Sequence, residues 1–211
     1  MTAADDAWNS LSEPWQLAFD EAWRSWCADC FGIGAVAMRA DTVVATGRNR
    51  VMEPRSEPGV IADSFIAHAE MNALAQIPWG QRDITLYTTL EPCLMCTSAI
   101  VMCRIAEVRY AATDSLMTGL RERLRDEPFV AERWPATSGP LDGPLAAFAR
   151  VLPHSFLLRT IGDDNPAVQQ AGDVEMRRAR EVVSAGSLDV VRDGAGSAVD
   201  ALGAVWELLS D

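Results

Sequence analysis

The sequence predicts an α/β fold in which helices pack against a mixed β-sheet. Three observations carry the prediction. Stretches with apolar residues at three- and four-residue steps alternate with short β-rich runs. The first two runs are close enough to form a hairpin, which is antiparallel. The later runs are separated by helices, and a strand–helix–strand crossover returns parallel.

The elements follow in order. Pro14–Cys30 reads as an amphipathic helix, with Trp15, Phe19, Ala22, Trp23 and Trp26 on one face, Pro14 in its first turn and Ser12 as its cap. Gly34–Met38 and Thr42–Ala45 read as strands joined by Arg39–Asp41. A polar, proline-containing loop runs from about Arg48 to Asp63. Asp63 or Ser64 caps a second helix reaching about Gln76, closed by Pro78 and Gly80. Ile84–Thr88 is a strand, Pro92–Arg104 a third helix and Val108–Ala112 another strand.

Beyond Thr113 the pattern weakens. Pro135–Pro144 reads as loop, Pro144–Leu152 as a short apolar helix and Ile161–Asp173 as a linker. Val174–Val183 and Ala198–Leu209 read as further helices. A domain over 1–155 followed by a helical extension over 156–211 is the expected organisation. The extension is either packed on that domain or apart from it.

Composition narrows the function. A chain of 211 residues suits one domain with an appendage. The formal net charge is −12 and every basic residue is arginine. An acidic surface repels phosphate backbones at long range, which argues against a large polyanionic partner, and it equally serves solubility. The five cysteines, Cys27, Cys30, Cys93, Cys96 and Cys103, are odd in number and fit metal binding in a reducing compartment better than a disulfide framework. The start, MTAADDAWNS, has neither a basic segment nor an apolar run, and no stretch approaches the length of a membrane span. The expected location is the cytoplasm, with no membrane partner.

Two segments carry chemistry. His68-Ala69-Glu70 opens the second predicted helix, and Pro92-Cys93-Leu94-Met95-Cys96 opens the third. Cysteines three apart share a helix face, and a helix N-terminus favours thiolates, the form that binds zinc. With neutral His68 they make three protein ligands for one Zn2+ per chain. Structural zinc has four protein ligands, whereas catalytic zinc keeps a position for water. Glu70 has the chemistry of a general acid and base. Residues two apart do not share a helix face, so that role requires His68 and Glu70 to lie in the first turn or just before it. A glutamate early in a helix otherwise only compensates the dipole.

H-x-E followed by P-C-x-x-C is the signature of zinc-dependent base deaminases. The stretches HAEMNALAQIP and LYTTLEPCLMCTSAIVMCRIAEVRYAATD closely resemble the cytidine-deaminase-like superfamily, in its tRNA adenosine deaminase, guanine deaminase and dCMP deaminase branch. The resemblance covers roughly residues 15 to 115. It implies a three-layer α-β-α sandwich with a mixed sheet of about five strands, here with a helical C-terminal extension, and a homodimer or larger assembly. It also implies a base-contacting asparagine, here Asn49, and substrate contacts from Ala69, Leu90 and Glu91, the last two through backbone carbonyls. A turn asparagine beside Gly47 is the alternative reading of Asn49. The chain departs from the family at Ser98-Ala99, where Gly-Ala is usual, and in a longer loop over Val51–Asp63.

The resulting expectation is a zinc-dependent hydrolase that removes an exocyclic amino group from a free nucleobase or nucleoside, of purine or cytosine type, as ammonia. tRNA wobble adenosine deamination is the alternative favoured by the motifs and disfavoured by the charge. A non-catalytic structural zinc module is the second alternative, and it requires a fourth protein ligand. Cys27 and Cys30 read as core cysteines, Cys103 as buried, His154 as a lone histidine and Trp79 as core or pocket rim. Arg48, Arg50 and Arg55 read as a phosphate contact or a solvated loop.

Overall fold

The computed structural model describes residues 1–55, 58–117, 119–124, 126–170 and 173–210. Strands β1 (Gly34–Arg39), β2 (Thr42–Arg48), β3 (Ile84–Leu90), β4 (Glu107–Ala112) and β5 (Ala136–Ser138) form one sheet in the order β2-β1-β3-β4-β5. β1 runs antiparallel to β2 and β3, while β3, β4 and β5 are parallel. The sheet is therefore mixed, as the hairpin and crossovers predict.

β1 and β3 are buried along almost their whole length, because both faces are covered. On one face α3 (Ala69–Leu74) and α4 (Leu94–Cys103) pack Ala69, Ala73, Leu74 and Ile100 against Ala35, Ala37, Ile84 and Leu86. On the other face α2 (Glu13–Cys27) and α7 (Gly143–Ile161) pack against Val36, Met38 and Tyr87. Phe19 of α2 stacks on Phe148 of α7 with ring centroids 5.9 Å apart. The architecture is the expected three-layer sandwich.

The other helices are α1 (Ala3–Ser10), α5 (Leu120–Leu124), α6 (Pro128–Ala131), α8 (Pro166–Gln170), α9 (Asp173–Ala185), α10 (Ser187–Asp193) and α11 (Ala198–Ser210). The C-terminal helices enter the same apolar cluster as α2, through Val182, Leu188, Leu202 and Val205. Trp26 Nε1 donates to Ser155 Oγ at 2.9 Å, and Trp23 Nε1 donates to the Gly196 carbonyl at 2.8 Å. Positions 155 and 156 both lie inside α7. No described helix is long and apolar enough to cross a membrane.

Several boundaries differ from the sequence reading. The second predicted helix starts at Ala69, not at Asp63 or Ser64. Asp63 has a left-handed φ of 50°, and Phe65 is 96% exposed. The third starts at Leu94, with Cys93 as its cap. β5 lies in the stretch read as loop, since three exposed residues carry no periodicity; its entry is fixed by the Ala136 N–H donating to the Ala106 carbonyl. The short helix read over Pro144–Leu152 continues through Pro153 to Ile161. The predicted linker contains α8, and its positions 171 and 172 lie outside the described residues. Cys103 is exposed, not buried, because α4 turns that side outward near its end. The sequence reading also missed α1 and α10.

Candidate metal and catalytic centre

α3 and α4 lie on the same face of the sheet and bring their N-termini together. The close seat of α3 depends on Gly47 in β2. A Cβ there would stand 2.2 Å from the Ala69 carbonyl oxygen and 2.6 Å from the Ala73 nitrogen. Asn72 ties the same helix to the preceding loop. Its Oδ1 accepts from the Ile61 N–H at 2.9 Å, and its Nδ2 donates to the carbonyls of Ile61 and Arg48.

His68 is the N-cap of α3 and Cys93 the N-cap of α4. An N-cap side chain usually turns back to a backbone N–H of its own helix. Neither does so here, and both turn toward each other. His68 Nδ1 lies 3.6 Å from Cys93 Sγ and 3.5 Å from Cys96 Sγ. Tetrahedral zinc with nitrogen at about 2.05 Å and sulfur at about 2.3 Å requires N···S separations of about 3.6 Å. The donor set and spacing therefore fit zinc. All three ligand atoms lie within 4.8 Å of one another.

The site's electrostatics suit a cation. Cys93 is pulled down to about 4 by its hydrogen bond from the Cys96 thiol and by His68, while the Cys96 thiol is pushed up in return. Burial acts to lower His68, and the neighbouring Cys93 and Glu70 more than offset it, so its net shift is upward.

Glu70 is only 4% exposed. Its Oε1 accepts from Thr88 Oγ1 at 3.2 Å, and its Oε2 lies 3.4 Å from Cys96 Sγ as acceptor. Burial holds its carboxyl above the usual range. His68 and Glu70, two residues apart, converge because His68 is in extended backbone before the helix begins. The geometric condition set by the sequence is met.

The other expected residues have the following partners. Asn49 is buried, and its Oδ1 accepts from the Val51 N–H at 3.2 Å. Its backbone carbonyl accepts from Ser25 Oγ at 2.7 Å. Leu90 ends β3, and its carbonyl accepts from Thr88 Oγ1 at 3.1 Å. The Glu91 N–H donates to the Ala112 carbonyl, and its Oε2 accepts from the Asp114 N–H. Ala69, the first residue of α3, is fully buried.

A cavity of about 660 Å³ opens beside His68. Phe31, Met52, Phe156, Leu157 and Ile161 make it apolar, and the Phe31 and Phe156 rings sit 4.6 Å apart. No arginine is among its described lining residues. The walls from α7 escaped sequence reasoning because nothing local ties residues 156–161 to His68. The same holds for Gly47, Asn72 and Thr88.

The remaining candidates lie elsewhere. Cys30 is buried as expected, whereas Cys27 is only half-buried against the core; burial raises both thiols, Cys27 to about 11. His154 is buried, its Nδ1 2.7 Å from the Arg150 carbonyl. Arg48 and Arg50 both pair with Glu53. Arg55 donates to the carbonyls of Ala62 and Asp63. Trp79 is 99% exposed at the rim of a groove lined by Ile77 and Met102.

A mixed sheet carrying a His/Cys/Cys ligand set on two helix N-termini, with a buried carboxylate against it, defines a zinc-dependent hydrolytic deaminase. Known proteins agree. The family profile described as the cytidine and deoxycytidylate deaminase zinc-binding region matches residues 9–112. A tRNA-specific adenosine deaminase of Bacillus subtilis is 34% identical over 132 residues, covering 57% of this chain and 76% of the relative. A solved structure from a study of A-to-I editing by tRNA:A34 deaminases is 28% identical, with a TM-score of 0.50 over 59% of this chain and 88% of that one. The guanine deaminase of Nitrosomonas europaea shares the fold, at 22% identity and a TM-score of 0.51 over 74% of this chain and 93% of that one. The chain belongs to the cytidine and deoxycytidylate deaminase family of zinc-binding proteins.

Proposed function

We propose that the chain hydrolytically deaminates an adenine ring presented by tRNA. For the chemistry, the carrying observation is Glu70 buried against the His68–Cys93–Cys96 cluster. For the substrate, it is the 34% identity to a relative named as a tRNA-specific adenosine deaminase. That likeness favours the polynucleotide alternative over the free-base expectation drawn from charge.

His68, Cys93 and Cys96 would hold zinc, which when bound would supply the Lewis acidity that makes water nucleophilic near neutral pH. Glu70 takes a proton from the attacking water and delivers protons to the ring nitrogen and the departing amine. Water's oxygen bonds to the amine-bearing carbon, the carbon–nitrogen bond breaks, and ammonia leaves with a carbonyl in its place. Asn49 offers an amide that both donates to and accepts from a ring edge. The carbonyls of Leu90 and Glu91 receive the amine's N–H groups, and Ala69 floors the site. The apolar wall of the cavity beside His68, with Phe31 and Phe156, offers a surface for a planar ring.

A second reading, a free base or nucleoside, is favoured by the net charge of −12 and by the absence of arginine from the described cavity wall. The two separate in one assay set. Purified protein is given a tRNA with adenosine at the wobble position, and inosine is measured. In parallel, ammonia release is measured from adenine, guanine, cytosine and their nucleosides. Inosine in the tRNA is the expected result; turnover of a free base or nucleoside with untouched tRNA replaces the tRNA reading with the second.

A further inference from the structure

We infer that Thr88 is the positioning residue of the deaminase site, fixing Glu70 through one carboxylate oxygen so that the other is free to move protons. The inference rests on the deaminase reading above for its functional meaning, and on geometry for its substance. The two Glu70 oxygens face different surroundings. Oε1 faces the sheet, where Thr88 Oγ1 lies at 3.2 Å. Oε2 faces the metal ligands, with Cys96 Sγ at 3.4 Å. Oε2 is therefore the working oxygen and Oε1 the anchored one.

Thr88 suits an anchor for three reasons. It lies on β3, the central strand of the sheet, and is fully buried, so its backbone is held on both sides. Its β-branched side chain has few rotamers. Its hydroxyl has a second partner, the Leu90 carbonyl at 3.1 Å. A hydroxyl is one donor and two acceptors. With Glu70 as a carboxylate, Thr88 donates to Oε1. Thr88 does not touch the reacting atoms. It also links Glu70 to Leu90, whose carbonyl is proposed above to receive the departing amine.

The test compares wild type with Thr88→Val and Thr88→Ser. Valine keeps shape and burial and removes the hydroxyl; serine keeps the hydroxyl. Crystal structures of the zinc-loaded proteins read the Glu70 side chain directly, without turnover. The expected result is a single Glu70 rotamer in wild type and Thr88→Ser, and a displaced or divided one in Thr88→Val, with zinc content unchanged. On whichever of the substrates above wild type turns over, kcat of Thr88→Val falls about tenfold, KM stays within about twofold, and Thr88→Ser recovers most of the loss. An unmoved Glu70 in Thr88→Val, or loss of zinc from it, overturns the inference. So does serine as damaging as valine. Absence of turnover by wild type on every substrate overturns the deaminase reading instead, and the crystallographic comparison still decides the role of Thr88.

Discussion

His68 and Cys93 hold the same position in their respective helices: each is an N-cap residue, and each turns its side chain away from its own helix toward the other. The consequence is a ligand cluster built from backbone geometry. Two helix N-termini, whose partial positive charges favour thiolate, converge on one face of the sheet. Cys96 joins from the first turn of α4, and Glu70 from the first turn of α3.

The ligand set is tested by metal content. His68→Ala or Cys93→Ala should reduce bound zinc from about one equivalent per chain to a small fraction, measured by elemental analysis after dialysis. Full zinc retention by both variants would remove the proposed coordination.

Glu70 is separable from metal binding. Glu70→Gln keeps the volume and removes the proton carrier, so zinc content should stay as in wild type while kcat falls by about 10²–10⁴. The measurement is ammonia or inosine formation alongside metal analysis. Unimpaired turnover by Glu70→Gln rules out the proton-shuttle role.

Gly47→Ala tests how closely α3 must sit. The new Cβ would meet backbone atoms of Ala69 and Ala73, which cannot rotate away. We expect a loss of about 1–3 kcal/mol in denaturant unfolding. Because the same helix carries His68 and Glu70, zinc affinity should fall too. A variant as stable as wild type means the helix has another seat.

Leu202→Ala probes the C-terminal helices. Leu202 of α11 is fully buried in the cluster that holds α2 and α7. Truncation should cost about 2–5 kcal/mol. The whole described chain should lose stability in one transition, read by circular dichroism and tryptophan fluorescence together. Two separate transitions would mean the extension over 156–211 unfolds on its own.

His154 couples stability to pH. Burial is the main cause of its lowered pKa; the hydrogen bond to the Arg150 carbonyl and the nearby Glu175 oppose it, and the Arg150 charge adds a smaller push downward. In the unfolded chain it takes up a proton near pH 6.5, while the folded form resists until lower pH. Its contribution is therefore present above about pH 6.5 and is lost as pH falls toward the folded-state value. Wild-type stability should fall across that window, and the slope should be shallower in His154→Gln. Equal slopes in the two proteins would assign the pH dependence to other groups.

The legible parts of the sequence are those that depend on near neighbours. Trp15, Phe19, Trp23 and Trp26 mark α2 through their spacing, and the alternation of strands and helices marks the mixed sheet. Helix starts were less legible. Asp63 and Ser64 are residue types that favour a cap, while the cap that sets the start of α3 is His68, a residue type with little cap preference. β5 was illegible because three exposed residues take their conformation from the neighbouring β4. α7 was cut short because Pro153 reads as a stop, yet tertiary packing carries the helix through it.

By itself the sequence determined the chemistry on offer: a histidine, two cysteines three apart and a glutamate, at spacings that place them at helix beginnings, on a fold with a mixed sheet. Only the tertiary structure decided how these meet. It set the 3.5–3.6 Å separations between His68 and the two sulfurs, put Thr88 against one oxygen of Glu70, and brought Phe156, Leu157 and Ile161 to the cavity beside His68. The physical reason is range. Periodicity and capping act over a few residues, whereas these contacts join positions 18 to more than 90 apart and exist only once the helices and the sheet have packed together.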